Sequence, residues 1–263
     1  MPQEGAQTVE RALAVLESVA RAGATGQTVT KLCAETGLQK TTVIRLLTSL
    51  RKHGYVTRDA TGAYRLGSSA LALGAAAGRG LQEVAHPHLE TLVRTTGETA
   101  LLQVLHGDES LCIDKVDSPM PIRVSYEIGR SGPLFAGTSG KVLLAFMPEA
   151  DREAYLSRAR LVRFTATTIV DRRQLRKNLE QIRSQGYVET FGELDEGVCG
   201  IGVPVWNGMG KLAAGVALVI PASRWSPEVK RHHLQAVSDA ASAISFDLGY
   251  RGPGPGGDDR GKP

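Results

Sequence analysis

At 263 residues the chain has room for a sizeable core and for one or two domains. Hydrophobic residues make up 42% and charged residues 22%, which is ordinary for a soluble globular protein. No stretch approaches the ~20 uninterrupted apolar residues that span a bilayer, and the start carries no signal-peptide pattern, so no membrane partner and a cytoplasmic location are expected. The net charge of +4 is concentrated: residues 1–66 hold nine Lys/Arg against five Asp/Glu, while the remainder balances to zero. A polyanion partner for that first quarter follows, against the blander alternative of a mildly basic, solvated surface.

Residues 1–6 read as frayed. A helix is predicted from Thr8, as N-cap, to Ala22, with Val9, Leu13, Leu16 and Ala20 on its apolar face. Gly23 and Gly26 end it. A short helix over Val29–Glu35 turns inward Leu32 and Ala34, Gly37 makes a tight turn, and a further helix runs from Lys40 to His53. Tyr55–Arg58 and Ala63–Leu66 then form a hairpin around Asp59-Ala60-Thr61-Gly62. Two helices about a Gly turn followed by a hairpin spell a winged helix-turn-helix. On the Lys40–His53 helix Val43, Leu46, Leu47 and Leu50 form the inner stripe. The opposite face presents Thr41, Arg45, Thr48 and Lys52, flanked by Thr42 and Ser49. Hydroxyls and spaced cations on one helical face suit a major groove, with Gln39, Lys40, Thr41 and Thr42 deepest. Thr28 joins this set, and Arg58 and Arg65 on the wing are placed for backbone or minor-groove contacts. Protein contact is the competing use of such a module.

Ser68–Ala85 is Leu/Ala-rich and interrupted by Gly74, Gly78 and Gly80; it is predicted as a linker helix broken by His86-Pro87-His88. The two histidines lack a third partner in view, and no metal is expected. A helix over His88–Thr96 leads to strands Thr99–Leu105 and Leu111–Val116, joined by Gly107-Asp108-Glu109-Ser110. Another strand is read at Ile122–Val124. Helices are expected from Ser139, over Glu149–Arg158, and from an Asp171 cap to Ser184 with Leu175, Leu179 and Ile182 inward. Strands follow at Tyr187–Phe191, Gly200–Trp206 and Leu212–Ile220, the last two linked by an Asn207-Gly208 turn, then a helix over Pro227–Leu248 and a disordered tail. The fold class is α+β, with helices on an antiparallel sheet in the second domain. Boundaries are set at 7–67, 68–86 (linker), 87–250 and 251–263.

Cys33, Cys112 and Cys199 are far apart and read as buried free thiols, with an effector or redox role for Cys199 as the open alternative. Gly140-Lys141 suggests a phosphate loop, but that motif requires Gly where Phe135 stands and Ser or Thr where Val142 stands. Ser139 beside Lys141 has no nucleophile elbow and no His or Asp partner, so no catalytic residue is assigned. His232-His233 reads as solvated.

The ordered landmarks Arg11-Ala12-Leu13, Thr36-Gly37-Leu38-Gln39-Lys40-Thr41-Thr42, Gly54-Tyr55-Val56, Tyr64-Arg65-Leu66-Gly67, Gly97-Glu98-Thr99, Gly140-Lys141, Gly186-Tyr187, Gly197-Val198, Gly202-Val203-Pro204-Val205 and Leu248-Gly249 resemble the IclR family of bacterial transcriptional regulators. The resemblance covers Val9 to Gly249. It implies a winged helix joined by the linker to a GAF-like domain that binds and oligomerises, no enzyme activity, no cofactor, a homodimer or dimer of dimers on a pseudo-palindromic DNA operator, and a small carboxylate as effector. It places the effector beside Phe135-Ala136-Gly137-Thr138-Ser139, with Glu193, Cys199, Gly200, Ala217 and Val219 as further walls. A Gly-rich loop with hydroxyls at a helix N-terminus suits a carboxylate. Ala217 and Val219, where hydroxyls are frequent in the family, lean toward a larger, aromatic acid. The alternative function is a metabolite sensor or adaptor that binds no DNA.

Overall fold

The computed structural model describes residues 6–252; residues 1–5 and the tail from 253 lie outside it, and with them most of the expected frayed start and disordered tail. Two compact units divide at Gly80/Leu81.

In the first unit, α1 (Gln7–Arg21), α2 (Val29–Thr36) and α3 (Lys40–Lys52) precede a wing of β1 (Val56–Arg58) and β2 (Tyr64–Leu66), paired antiparallel with Val56 opposite Leu66. Val15, Val19, Leu32, Val43, Leu46, Leu47, Val56 and Tyr64 form its core. Thr8 is not the cap of α1: Ala6 holds that position and offers no side-chain bond. The buried face of α1 is also rotated from the expected one. Val15, Ser18 and Val19 are buried, whereas Val9 and Leu13 are about half exposed and Ala20 is exposed. Polar Ser18 is inside because its hydroxyl donates to the Glu35 carboxylate (2.5 Å), which also accepts from the Gln27 amide (2.7 Å). In α2 Leu32 is buried as expected, but Ala34 is exposed and half-buried Cys33 packs on the core instead. The turn into α3 needs Gly37, whose φ of 68° is a left-handed conformation that costs a side-chain-bearing residue more.

Helix α4 (Ser68–Thr96) is anchored at its start by the Ser69 amide donating to Gly54 O (3.1 Å) and the Ser69 hydroxyl to His53 O (2.8 Å). It is not broken at Pro87, which sits inside it. The proline ring deprives the Glu83 carbonyl of its helical donor, and Glu83 is an exposed residue.

The second unit is a six-stranded antiparallel sheet in the order β5-β4-β3-β8-β7-β6. Its strands are β3 (Thr99–His106), β4 (Glu109–Val116), β5 (Ser131–Pro133), β6 (Val188–Phe191), β7 (Val198–Trp206) and β8 (Leu212–Pro221). The Gly107-Asp108 turn joins β3 and β4, with His106 opposite Glu109. Ile122–Val124 is not a strand; β5 takes the edge beside β4. Ala100, Leu102, Val203, Val216 and Leu218 pack against the C-terminal part of α4 and α8 (Pro227–Asp247). A second core gathers α5 (Thr138–Phe146), α6 (Glu149–Arg158) and α7 (Arg172–Gln185). Asp171 caps α7 by accepting from the Gln174 amide (2.8 Å), and Leu175, Leu179 and Ile182 are buried, both as expected. His233 is not solvated: it is 5% exposed, and its Nδ1 has no hydrogen-bond partner among the described residues. Burial pushes its pKa down from 6.5, with nearby His232 and Arg224 acting the same way and Glu98 opposing.

Candidate functional site

Two regions carry chemistry, one in each unit. On α3 the buried stripe of Val43, Leu46 and Leu47 fixes which face is outward. Lys40, Thr41, Arg45, Thr48, Ser49 and Lys52 are exposed on it, and Thr42 is half-buried. Gln39 is the exposed N-cap residue of α3, and its side chain makes no cap bond, which leaves the amide free for another partner. The Thr48 hydroxyl donates to Ile44 O (2.9 Å), so it keeps only its acceptor side and its methyl group for a ligand. Thr28 is engaged locally as the N-cap of α2, accepting from the Lys31 amide (3.4 Å). The wing arginines are also tied within the wing. Arg65 pairs with Asp59 (3.0 Å), while Arg58 donates to Gly62 O (3.3 Å) and lies over the Tyr64 ring.

Lys40, Arg45, Arg51 and Lys52 make no ion pair among the described residues. In the second unit Lys115, Lys141, Arg158, Arg176, Arg224 and Lys230 face carboxylates, while Arg123, Arg130, Arg173 and Lys211 make no ion pair among the described residues. Positive charge is therefore left uncompensated on one helix face, which is where a polyanion gains most. Arg51, which falls off the strict outer stripe, is exposed as well.

In the second unit a cavity of about 70 Å³ opens at the N-terminus of α5. Gly137, Thr138, Ser139, Glu193, Cys199 and Val219 line it, as expected. Phe135, Gly200 and Ala217 do not: Phe135 is buried and stacks on Phe164, and Ala217 is buried in β8. Gly200 and Gly202 instead form a floor under α5. A Cβ on Gly200 would collide with the Thr138 hydroxyl, and one on Gly202 would meet the Thr138 methyl at 2.8 Å. Thr138 is pinned there and bonds to the Thr190 hydroxyl (2.6 Å). The N-cap Gly137 gives no side-chain cap, so among the described residues the first-turn amides of α5 have no side-chain cap acceptor at the cavity.

Glu193 is not a free carboxylate. Lys141, 1% exposed, donates to it at 2.5 Å, and the Gly137 amide donates to its other oxygen at 3.1 Å. Burial pushes the Lys141 pKa down, and Glu193 opposes that shift. The pair cancels its own charge and sets the start of α5 against the Glu193 loop. The far wall, which the sequence did not reveal, brings Leu101, Ser110, Tyr126 and Arg130 to the cavity. The Arg130 guanidinium lies 4.6 Å from the Tyr126 ring centre. Burial pushes the Tyr126 pKa up, against Arg130 and Gln103. The Cys199 thiol is likewise pushed up by burial, next by Glu189, and is a poor nucleophile.

Residues 8–60 match the IclR helix-turn-helix domain and residues 74–246 match the bacterial transcriptional regulator IclR C-terminal domain. The chain belongs to the IclR family. This regulator is 32% identical over 225 residues to the HTH-type transcriptional regulator KipR of Bacillus subtilis (strain 168), covering 85% of this chain and 90% of KipR. A crystal structure of a family regulator from Silicibacter sp. TM1040 superposes with a TM-score of 0.85 at 26% identity, covering 94% of this chain and 98% of that one. An IclR homolog from Microbacterium hydrocarbonoxydans, complexed with 4-hydroxybenzoate, gives a TM-score of 0.76 at 27% identity, covering 92% and 99%. The protein is thus a DNA-binding transcriptional regulator that responds to a ligand, not an enzyme. The adaptor alternative finds no support among these relatives.

Proposed function

We propose that this IclR-family regulator reads a pseudo-palindromic operator as a homodimer, or as a dimer of dimers, in the cytoplasm. The outward face of α3 enters the major groove, with Arg45 toward base edges and Lys40, Arg51 and Lys52 toward phosphates. The observation that carries this is the set of cations on α3 with no carboxylate partner among the described residues. The effector is a small organic acid held at the N-terminus of α5, its carboxylate taking first-turn amides and the Ser139 hydroxyl. The cavity volume is several times the ~10–15 Å³ that one water needs, which suits a compact acid. The relative that holds 4-hydroxybenzoate supports an acid in this fold. The lean toward an aromatic acid loses one of its two supports, because Ala217 is off the wall. The effector acts through unequal affinity for two states of the protein.

Selection from a random duplex library should return a two-fold-related site. Binding to that site, read by fluorescence anisotropy, should weaken by ~10-fold or more between about 50 and 200 mM salt. Enrichment of no sequence, with affinity indifferent to salt, would overturn the reading. For the effector, Ser139→Leu should abolish the response to a bound acid while leaving operator affinity unchanged. Thr138 is unsuited to this test because it is packed on the glycine floor.

A further inference from the structure

The wing is a hairpin of two three-residue strands, β1 and β2, too short to keep a fixed place unaided. A third segment holds it. Gln27, outside the named strands, pairs antiparallel with Tyr64, each amide donating to the other's carbonyl at 2.8 Å. Tyr64 stands opposite Arg58 in the hairpin, and the Arg58 guanidinium lies over its ring. Arg58 is exposed and makes no ion pair among the described residues. Gln27 is 5% exposed, and its side-chain Nε2 donates to Glu35 Oε1 at 2.7 Å. Glu35 belongs to α2 and precedes by two residues Gly37, where the chain turns into α3. Its other oxygen accepts from the Ser18 hydroxyl of α1 at 2.5 Å, and Arg21 approaches that oxygen at 3.8 Å. One carboxylate therefore links the helix pair to the wing through Glu35, Gln27, Tyr64 and Arg58. Its removal strands the buried Gln27 amide, a cost that falls when Gln27 shifts and takes its backbone pairing with it.

We propose that Glu35 is a positioning residue for operator recognition: it touches no DNA, and it sets where the wing, with Arg58 on it, stands against α3. This rests on the operator reading above and adds Arg58 to the groups that meet the duplex. The two oxygens of the carboxylate divide the work. The Gln27 arm carries the wing, and the Ser18 arm only anchors α1. Glu35 and Arg58 share no hydrogen bond or ion pair among the described residues, so any coupling between them in DNA binding runs through Gln27 and Tyr64.

The test is fluorescence anisotropy of the full chain on the duplex recovered by selection, well below the melting temperature, so that lost stability alone leaves the reading unmoved. Glu35→Met and Gln27→Met should each weaken binding by about 5- to 10-fold. Glu35→Gln should stay within about twofold of wild type, since its amide oxygen accepts from Gln27 and its amide nitrogen donates to the Ser18 hydroxyl. Ser18→Ala should lower the melting temperature and still bind within about twofold of wild type. Arg58→Ala should bind about 5-fold more weakly, and on that background Glu35→Met should cost about twofold or less, because independent effects would multiply in full. Should Glu35→Met not fold, Gln27→Met carries the same comparison. Wild-type affinity in these two variants, an equal loss in Ser18→Ala, or a full loss that persists without Arg58 each overturns the positioning role and leaves the operator reading standing. Wild-type affinity in Arg58→Ala takes the wing out of the site, and the positioning role with it.

Discussion

Arg45 and Lys52 occupy the same helix face, but the chemistry of their partners separates them. A base-reading arginine loses specificity when removed, whereas a phosphate-binding lysine loses affinity across all sequences. Arg45→Ala should therefore cost about 1–3 kcal/mol in operator affinity and little on scrambled duplex, measured by anisotropy. Lys52→Ala should weaken both to a similar degree. Neither should shift the melting temperature much, since both residues are exposed and make no ion pair among the described residues. The buried Lys141–Glu193 pair behaves in the opposite way. Lys141→Met strands an uncompensated buried carboxylate and should cost roughly 3–5 kcal/mol in urea unfolding, while Lys141→Met with Glu193→Gln should recover much of that loss. An undiminished single variant would mean that water already solvates Glu193. His233 gives a pH signature. Its folded pKa lies below 6.5, so between the two values the unfolded chain holds more proton and stability rises with pH. Stability is complete above about 6.5 and falls as pH drops through that value toward the folded one. Melts at pH 7.5 and 5.5 should show this loss in wild type, and His233→Leu should shrink it.

At the level of elements, strand and helix types were readable wherever periodicity was strong. Asp171, Leu175, Leu179 and Ile182 marked α7 because a cap and a single apolar stripe agree. α1 was misread because it carries apolar residues on two faces. Periodicity selects the longer stripe of Val9 and Leu13, but the core takes the one where Ser18 finds Glu35. At Pro87 the local rule lost to packing: Ala85, Leu89 and Leu92 are buried in one continuous helix. Pro87→Ala should consequently stabilise the protein by about 2 kcal/mol, the helix-interior penalty of ~3 less the entropy a proline removes from the unfolded chain. A lowered melting temperature would show that the ring packs favourably. For the cavity, the near wall was legible from one Gly-rich loop. The far wall was not, since Ser110, Tyr126 and Arg130 meet it only through the β4–β5 pairing.

For the whole molecule, charge is divided by function. Residues 67–263 balance to zero, and the first quarter keeps the excess of +4. If, as proposed, two heads bind one duplex with four such side chains on each α3, the slope of log affinity against log salt should be on the order of −5 or steeper. Each cation removed should flatten it by about one unit. A slope near zero would remove the electrostatic basis of operator binding. On the proposed reading, the same cations would attach the regulator weakly to any stretch of chromosome. Nearly every copy in the cell would then be parked on irrelevant sequence, sliding and hopping, with few copies free in solution. A metabolite that lowers operator affinity need not eject the protein into the cytosol; it has only to make the correct address no better than the surrounding genome.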